Sequence, residues 1–237
     1  MLARPICAVA STLLLNVALL GSPQAFSQEN PNYTPPSTPP LHQPSDLDYQ
    51  SKYSAPFVGL GLQFGQTMPA GDGKPGLEYA GRFEVGYAAG FQSFSKMETS
   101  LEAFYGASSF RLGGDAGGQA SLNGMMGLMA KIGYGHSVQK DLFSLWKLGI
   151  GGAFADFEVK NEGTTYRSTD TVSGVLFQLG WALSKRMSET TEITGGFDWT
   201  HSQFSLGDVK GGGAVVDLNR NAVLNNLGIQ VGWRLIL

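Results

Sequence analysis

The sequence predicts an all-β protein, an antiparallel up-and-down transmembrane β-barrel of eight strands. Three observations carry this. From about residue 56 onward, large apolar residues alternate with small or polar ones in eight segments. The connections between those segments are short and long in turn. After residue 28 no run approaches the roughly 18 consecutive apolar residues of a membrane helix, so any further crossing must be made by strands.

Period two identifies strands because successive side chains point to opposite faces. In the first segment Val58, Leu60, Leu62 and Phe64 share one face, and Phe57, Gly59, Gly61 and Gln63 the other. The second sets Tyr79, Phe83, Val85 and Tyr87 against Glu78, Ala80, Arg82 and Glu84. The third sets Met97, Leu101, Ala103 and Tyr105 against Glu98, Ser100 and Glu102, and the fourth sets Leu122, Met126, Leu128 and Ile132 against Asn123, Gly127 and Lys131. Trp146, Leu148 and Ile150 oppose Lys147 and Gly149 in the fifth, and Val175, Phe177, Leu179 and Trp181 oppose Gln178 and Gly180 in the sixth. Ile193, Phe197 and Trp199 oppose Glu192, Thr194 and Asp198 in the seventh. In the last, Leu227, Ile229, Val231, Trp233, Leu235 and Leu237 oppose Gly228, Gln230 and Arg234. Short turns are expected at 92–96, 136–139 and 185–189, and longer loops at 67–77, 113–120, 158–171 and 207–221. An even count of strands puts both ends of the barrel sequence on the short-turn side, taken as the periplasm.

The two faces differ in a way that chooses the solvent. A soluble barrel carries Lys and Glu outside and an apolar inside. Here one face is apolar and aromatic, while the other is mostly Gly, Ala and Ser with a few charges. Small residues suit the narrow interior of eight strands, and the apolar face then looks at lipid. Tyr87, Phe91, Trp146, Trp181 and Trp233 fall near the short-turn ends, and Phe64, Tyr79, Tyr105, Phe154 and Trp199 near the long-loop ends. That predicts two interfacial girdles. Composition agrees: only 15% of residues are charged and 33 are glycine, against a usual charged share of about a quarter.

The segments ahead of the barrel have other compositions. Residues 1–27 read as a cleavable signal peptide: Arg4, an apolar stretch from Ile6 to Leu20, and the small-x-small site Ala25-Phe26-Ser27. Residues 28–54 hold six of the eleven prolines and few apolar residues, the mark of an extended linker. Residues 55–237 are the barrel. Cys7 is the one cysteine, so a disulfide framework and a Cys-based metal site are excluded from the mature chain. A net charge of −3 gives no case for nucleic acid.

Over residues 55–237 the chain resembles the small outer-membrane barrels of the OmpA/OmpX/opacity type. The final strand is the most specific piece. Ile229, Val231, Trp233, Leu235 and Leu237 alternate to the end and resemble the signal read by the barrel assembly machinery, differing in a terminal Leu where the family pattern prefers an aromatic. The resemblance implies a bacterial outer-membrane location, lipid and the assembly machinery as partners, and a lumen closed by ion pairs.

Nine charged residues are expected inside: Arg82, Glu84, Glu98, Glu102, Lys131, Lys147, Glu192, Asp198 and Arg234. They are nearly balanced in sign, as buried charges must be. Centred turns put Lys131 diagonally between Glu98 and Glu102, and Arg234 diagonally near Glu192. A narrow ion pathway is the alternative reading. Catalysis finds little support. Glu98 and Glu102 lie about 13 Å apart along a strand, beyond either glycosidase spacing. His201-Ser202 and His136-Ser137 are adjacent pairs, which a strand sends to opposite faces. His42, His136 and His201 are too scattered for one metal site. The Gly-rich stretches 113–118 and 211–213 lack the Lys-Ser/Thr of a phosphate loop. We therefore expect no cofactor, no metal and no enzyme, but a structural or surface-interaction barrel whose longer loops carry any ligand. A small pore and a lipid A-modifying enzyme are the alternatives.

Overall fold

The computed structural model describes residues 52–91, 95–113 and 118–237. The expected signal peptide, the Pro-rich segment before Lys52, and the tips 92–94 and 114–117 lie outside them. Eight long strands carry the chain up and down: β1 (Ala55–Pro69), β2 (Gly76–Phe91), β3 (Ser95–Arg111), β4 (Gln119–Gln139), β5 (Leu142–Asn161), β7 (Val172–Arg186), β8 (Thr191–Gly211) and β9 (Ala214–Ile236). A short β6 (Thr164–Ser168) is added between β5 and β7. Each long strand pairs antiparallel with its neighbour in the chain, and β9 pairs back onto β1. The sheet is a closed ring of eight, with no free edge through the barrel wall.

Register fixes the tilt. Starting at Leu60 and stepping through partners Phe83, Ala103, Leu128, Gly152, Val175, Gln203 and Val223, the path rejoins β1 at Ala70, whose N–H donates to the Val223 carbonyl. The circuit has climbed ten residues. At about 3.3 Å per residue and 4.7 Å between strands this is a tilt of about 40°.

The outer wall is apolar at mid-height. Leu60, Leu62, Phe64, Phe83, Leu101, Leu128, Ile150, Phe154, Val175 and Ile229 are all exposed. Going up, the outward side chains turn polar at Gln66, Ser109, Asn123, Asp156, Ser173 and Gln203. Phe64, Tyr79, Tyr105, Phe154 and Trp199 sit just below that line. At the other end Trp146 pairs directly with Trp181 and Tyr134, and Trp181 stacks on Phe197 at 6.4 Å. From Trp146 to Phe154 is about 27 Å of strand, roughly 20 Å along the axis at this tilt, comparable with the ~25 Å apolar band of such barrels. An exposed band of this size is unstable in water and suited to hydrocarbon.

The strands are longer than the sequence pattern suggests, and four expectations change. The loop expected at 207–221 is a hairpin: β8 and β9 stay paired to Gly211 and Ala214. Gly212 and Gly213 turn the chain with φ of 60° and 80°, the left-handed geometry of a tight two-residue turn. The loop expected at 158–171 contains β6, which pairs with β5 across Glu162-Gly163 and with β8 on its other side. The turn expected at 136–139 is displaced to Lys140-Asp141, because β4 pairs with β5 as far as Gln139. Leu122, expected to face lipid, points inward and is buried. The register of β4 slips between Asn123 and Met126, where Gly124 has φ 56°. This bulge inserts an extra residue and inverts the alternation above it.

Candidate functional site

The lumen holds two chemically distinct layers. The lower, toward the short turns, is ionic. Arg234 reaches Glu84 at 2.8 Å, Glu98 at 3.0 Å and Glu192 at 3.0 Å, and its guanidinium lies 4.2 Å over the Phe57 ring. Lys96 bridges Glu98 at 3.0 Å and Glu192 at 3.1 Å. Lys147 lies 3.8 Å from Glu84, and the Ser100 hydroxyl donates to Glu84 at 2.7 Å. Above them, Lys131 pairs with Glu102 at 2.6 Å. Arg82 spans Glu102 at 3.3 Å and Asp198 at 3.2 Å, and the Gln63 amide donates to Asp198 at 2.8 Å.

The nine charged residues read from the sequence thus meet across the lumen. Strand alternation aims them inward, and the ring brings them together. β3 supplies Glu98 and Glu102, β8 supplies Glu192 and Asp198, and β1 contributes no charge but the glycines that leave room. A Cβ on Gly59 would sit 3.1 Å from the Arg234 Cγ. Two details differ from the expected registers. Arg234 stands directly opposite Glu192 rather than diagonal to it. Lys131 does lie diagonally between Glu98 and Glu102, opposite Ser100, yet bonds only Glu102. Two interior charges escaped the sequence reading. Lys96 falls in the segment 92–96 expected as a turn, and Glu78 is not among the nine expected lumenal charges. Both are buried, and Glu78 accepts a bond from Thr67 at 3.4 Å. Parity could have found them, since Lys96 and Glu98 are two apart on one strand, as are Glu78 and Ala80. Among the described residues the interior holds five cations (Arg82, Lys96, Lys131, Lys147, Arg234) and six carboxylates (Glu78, Glu84, Glu98, Glu102, Glu192, Asp198).

The upper layer is apolar, which the sequence reading did not foresee. Phe104, Phe110, Leu122, Met125, Met129, Phe157, Leu176, Phe204, Val209 and Leu224 form one buried cluster. Phe157, Phe204 and Leu122 are almost wholly enclosed. Gly127 and Gly174 make room for it: a Cβ on Gly127 would meet the Phe104 ring at 2.4 Å, and one on Gly174 the Phe204 ring at 2.6 Å. The lumenal spaces are small, about 20 Å³ where the ionic and apolar layers meet and about 30 Å³ beside Arg82, Glu84 and Arg234. Each has room for one or two waters.

The short-turn mouth is covered by the residues just ahead of β1. The Tyr53 ring meets Phe143 edge-on at 5.0 Å, above the buried Phe143 and Leu145. Its hydroxyl donates to Asp141 at 2.6 Å, Lys52 pairs with Asp141 at 2.9 Å, and Arg186 donates to the Lys52 carbonyl. Burial alone would raise the Asp141 pKa, but the hydrogen bonds from Lys52 and Tyr53 outweigh it and hold the carboxyl below its usual value.

The candidate catalytic groups stay apart. His201 sits on the outer face, its Nδ1 3.0 Å from Asn225 Oδ1. Ser202 points into the lumen and is buried. Among the described residues no three His, Cys, Asp or Glu are placed to hold a metal; His42 lies outside them.

No protein-family model and no curated sequence matches the chain. Solved structures do resemble it. Neisserial surface protein A aligns over 77% of this chain and 97% of its own, at 13% identity and a TM-score of 0.43. Ail, the attachment invasion locus protein of Yersinia pestis, solved with the heparin analogue sucrose octasulfate, aligns over 77% and 99%, at 13% identity and 0.36. The outer membrane protease OmpT from Escherichia coli aligns over 78% and 97%, at 6% identity and 0.41. Similarity this distant extends no further than the strand architecture, which here rests on the closed ring of register pairs.

Proposed function

We propose that this chain is a non-enzymatic barrel of a bacterial outer membrane, with a closed lumen, acting as an envelope scaffold that presents projecting hairpins for surface interaction. The observation that carries the proposal is the two-layer filling of the lumen. Ions would have to cross an ion-paired layer and then a packed aromatic layer. Dehydrating an ion among Phe104, Phe157 and Phe204 is costly, since an uncompensated charge in an apolar medium is strongly disfavoured. This argues against the pore alternative.

The interaction part of the reading rests on strand length. β8 and β9 have 21 and 23 residues, about twice the 9–11 that cross a bilayer. Their lower ends are level with the short turns, so the excess projects on the opposite side, with β5 and β6 packed alongside. A rigid, projecting hairpin is a suitable platform for recognition. The enzyme alternative has less support, because His201 and Ser202 lie on opposite faces of the wall and the hydroxyl that does meet a carboxylate, Ser100 on Glu84, sits inside the filled ionic layer. A liposome-swelling assay tests the closed lumen: vesicles carrying the folded protein should swell in small sugars no faster than empty ones. Swelling in proportion to inserted protein would refute it.

A further inference from the structure

We infer that the outer wall carries a binding site for one phosphorylated lipid of the outer leaflet, of the lipid A type. Gly81 on β2 faces outward between Leu62 and Tyr105, its register partners. The fold does not require glycine there. A Cβ would meet only the Tyr105 carbonyl, at 3.9 Å, and φ is not positive. At a depth where the other strands present Leu, Ile or Phe, β2 presents no side chain, and β3 beside it presents only Ala103. The result is an apolar groove of about 1020 Å³ walled by Tyr79, Phe83 and Tyr105.

Above this groove stands a pair of like charges. Lys74 and Arg111 face each other as a hydrogen-bonded antiparallel pair, exchanging backbone bonds of 3.1 and 3.0 Å. Both are exposed, and among the described residues neither makes a salt bridge. Cations set directly opposite one another repel, an arrangement that a shared anion relieves and a phosphate fits. Arg111 continues the outward row of Ala103, Tyr105 and Ser109. It is six residues above Tyr105, about 20 Å along the strand or roughly 15 Å in height. The outward row has already turned polar at Ser109, between the two, so the cations lie on the headgroup side while the groove meets acyl chain. The cation pair takes one phosphate, and the size of the groove below it suits a lipid with several acyl chains, which selects lipid A over a two-chain phospholipid.

The inference rests on the outer-membrane placement but not on the closed lumen. Native mass spectrometry of the folded full chain, with bis-phosphorylated lipid A, its dephosphorylated form and phosphatidylglycerol as probes, tests it. One bis-phosphorylated lipid A should be retained in preference to the other two. Gly81→Leu, which fills the groove, should lower retention by about tenfold, the loss of roughly two methylenes of contact. Ala103→Leu should do the same from the neighbouring strand. Lys74→Ala with Arg111→Ala should abolish the preference for the phosphorylated form. Equal retention of the three probes, or wild-type retention by both filled variants, would overturn the site. Failure of the chain to insert into vesicles at all would instead contradict the membrane placement.

Discussion

Arg234→Met isolates the most connected charge in the lumen. The guanidinium touches Glu84, Glu98 and Glu192 at 2.8 to 3.0 Å, with its side chain 3% exposed. Methionine keeps the stem and removes the charge. Removing one partner of a buried pair costs about 3–5 kcal/mol, because the other charge stays buried without compensation. Three contacts do not triple that. Lys96 still serves Glu98 and Glu192, and Lys147 stands 3.8 Å from Glu84, so neighbours absorb part of the loss. The expected destabilisation is therefore about 3–5 kcal/mol in total. Equilibrium unfolding in urea with the barrel in lipid vesicles measures it. Arg234→Lys should recover charge but not the three-way fork, and so fall between. Lys160→Met, whose partner Glu158 lies at the exposed rim, is the control and should change stability by less than about 1 kcal/mol. If Arg234→Met also loses less than about 1 kcal/mol, the lumenal network does not hold the fold and the reasoning fails.

Lys131→Met should cost less, about 2–3 kcal/mol in the same assay, because Glu102 keeps Arg82 at 3.3 Å. Gly196→Ala should destabilise by about 1–3 kcal/mol, since its Cβ would lie 2.1 Å from the Trp181 carbonyl, a backbone atom that cannot step aside. Gly213→Ala, at φ 80° in the projecting turn, should cost about 1 kcal/mol, and its hairpin amides should exchange faster with solvent. The Asp141 latch should respond to acid. Its folded pKa is held below the unfolded value, so its contribution is complete above about pH 4 and is lost as pH falls through the lowered value. The NMR signal of the Tyr53 ring should stay constant down to about pH 4 and shift only below it; a transition centred above about pH 5 would contradict the latch.

Much of this architecture was legible because a strand's period is two and a barrel has only two faces. The identity of the outward residues, from Leu60 to Trp233, follows from alternation alone. So does the inward aim of Arg82, Lys131 and Arg234, since each shares parity with glycines and serines. What alternation cannot give is where a strand stops. Lys96 stands at the very start of β3, inside the segment whose composition reads as a turn. The apolar layer is hidden for a related reason, since Phe110, Phe157 and Phe204 lie past the last alternating residues of their strands and just ahead of the expected loops. Leu122 was misplaced because one extra residue at Gly124 flips every side chain above it, and no pattern in the sequence marks that bulge. Partner choice was hidden too. Lys131 has two carboxylates at equal register distance, and only packing decides that it bonds Glu102. The Gly81 groove shows the converse limit, because a glycine required by space and one required by nothing look alike until their neighbours are known.

Single-channel conductance of the folded protein in a planar bilayer tests the central claim most directly. The two-layer lumen predicts no steady conductance from protein shown to be folded and inserted, with Arg234→Met and Phe204→Ala at most producing brief, irregular openings. A steady ohmic conductance in the wild type, altered by Lys131→Met or Arg234→Met, would mean that ions pass among these side chains and that the lumen is not closed.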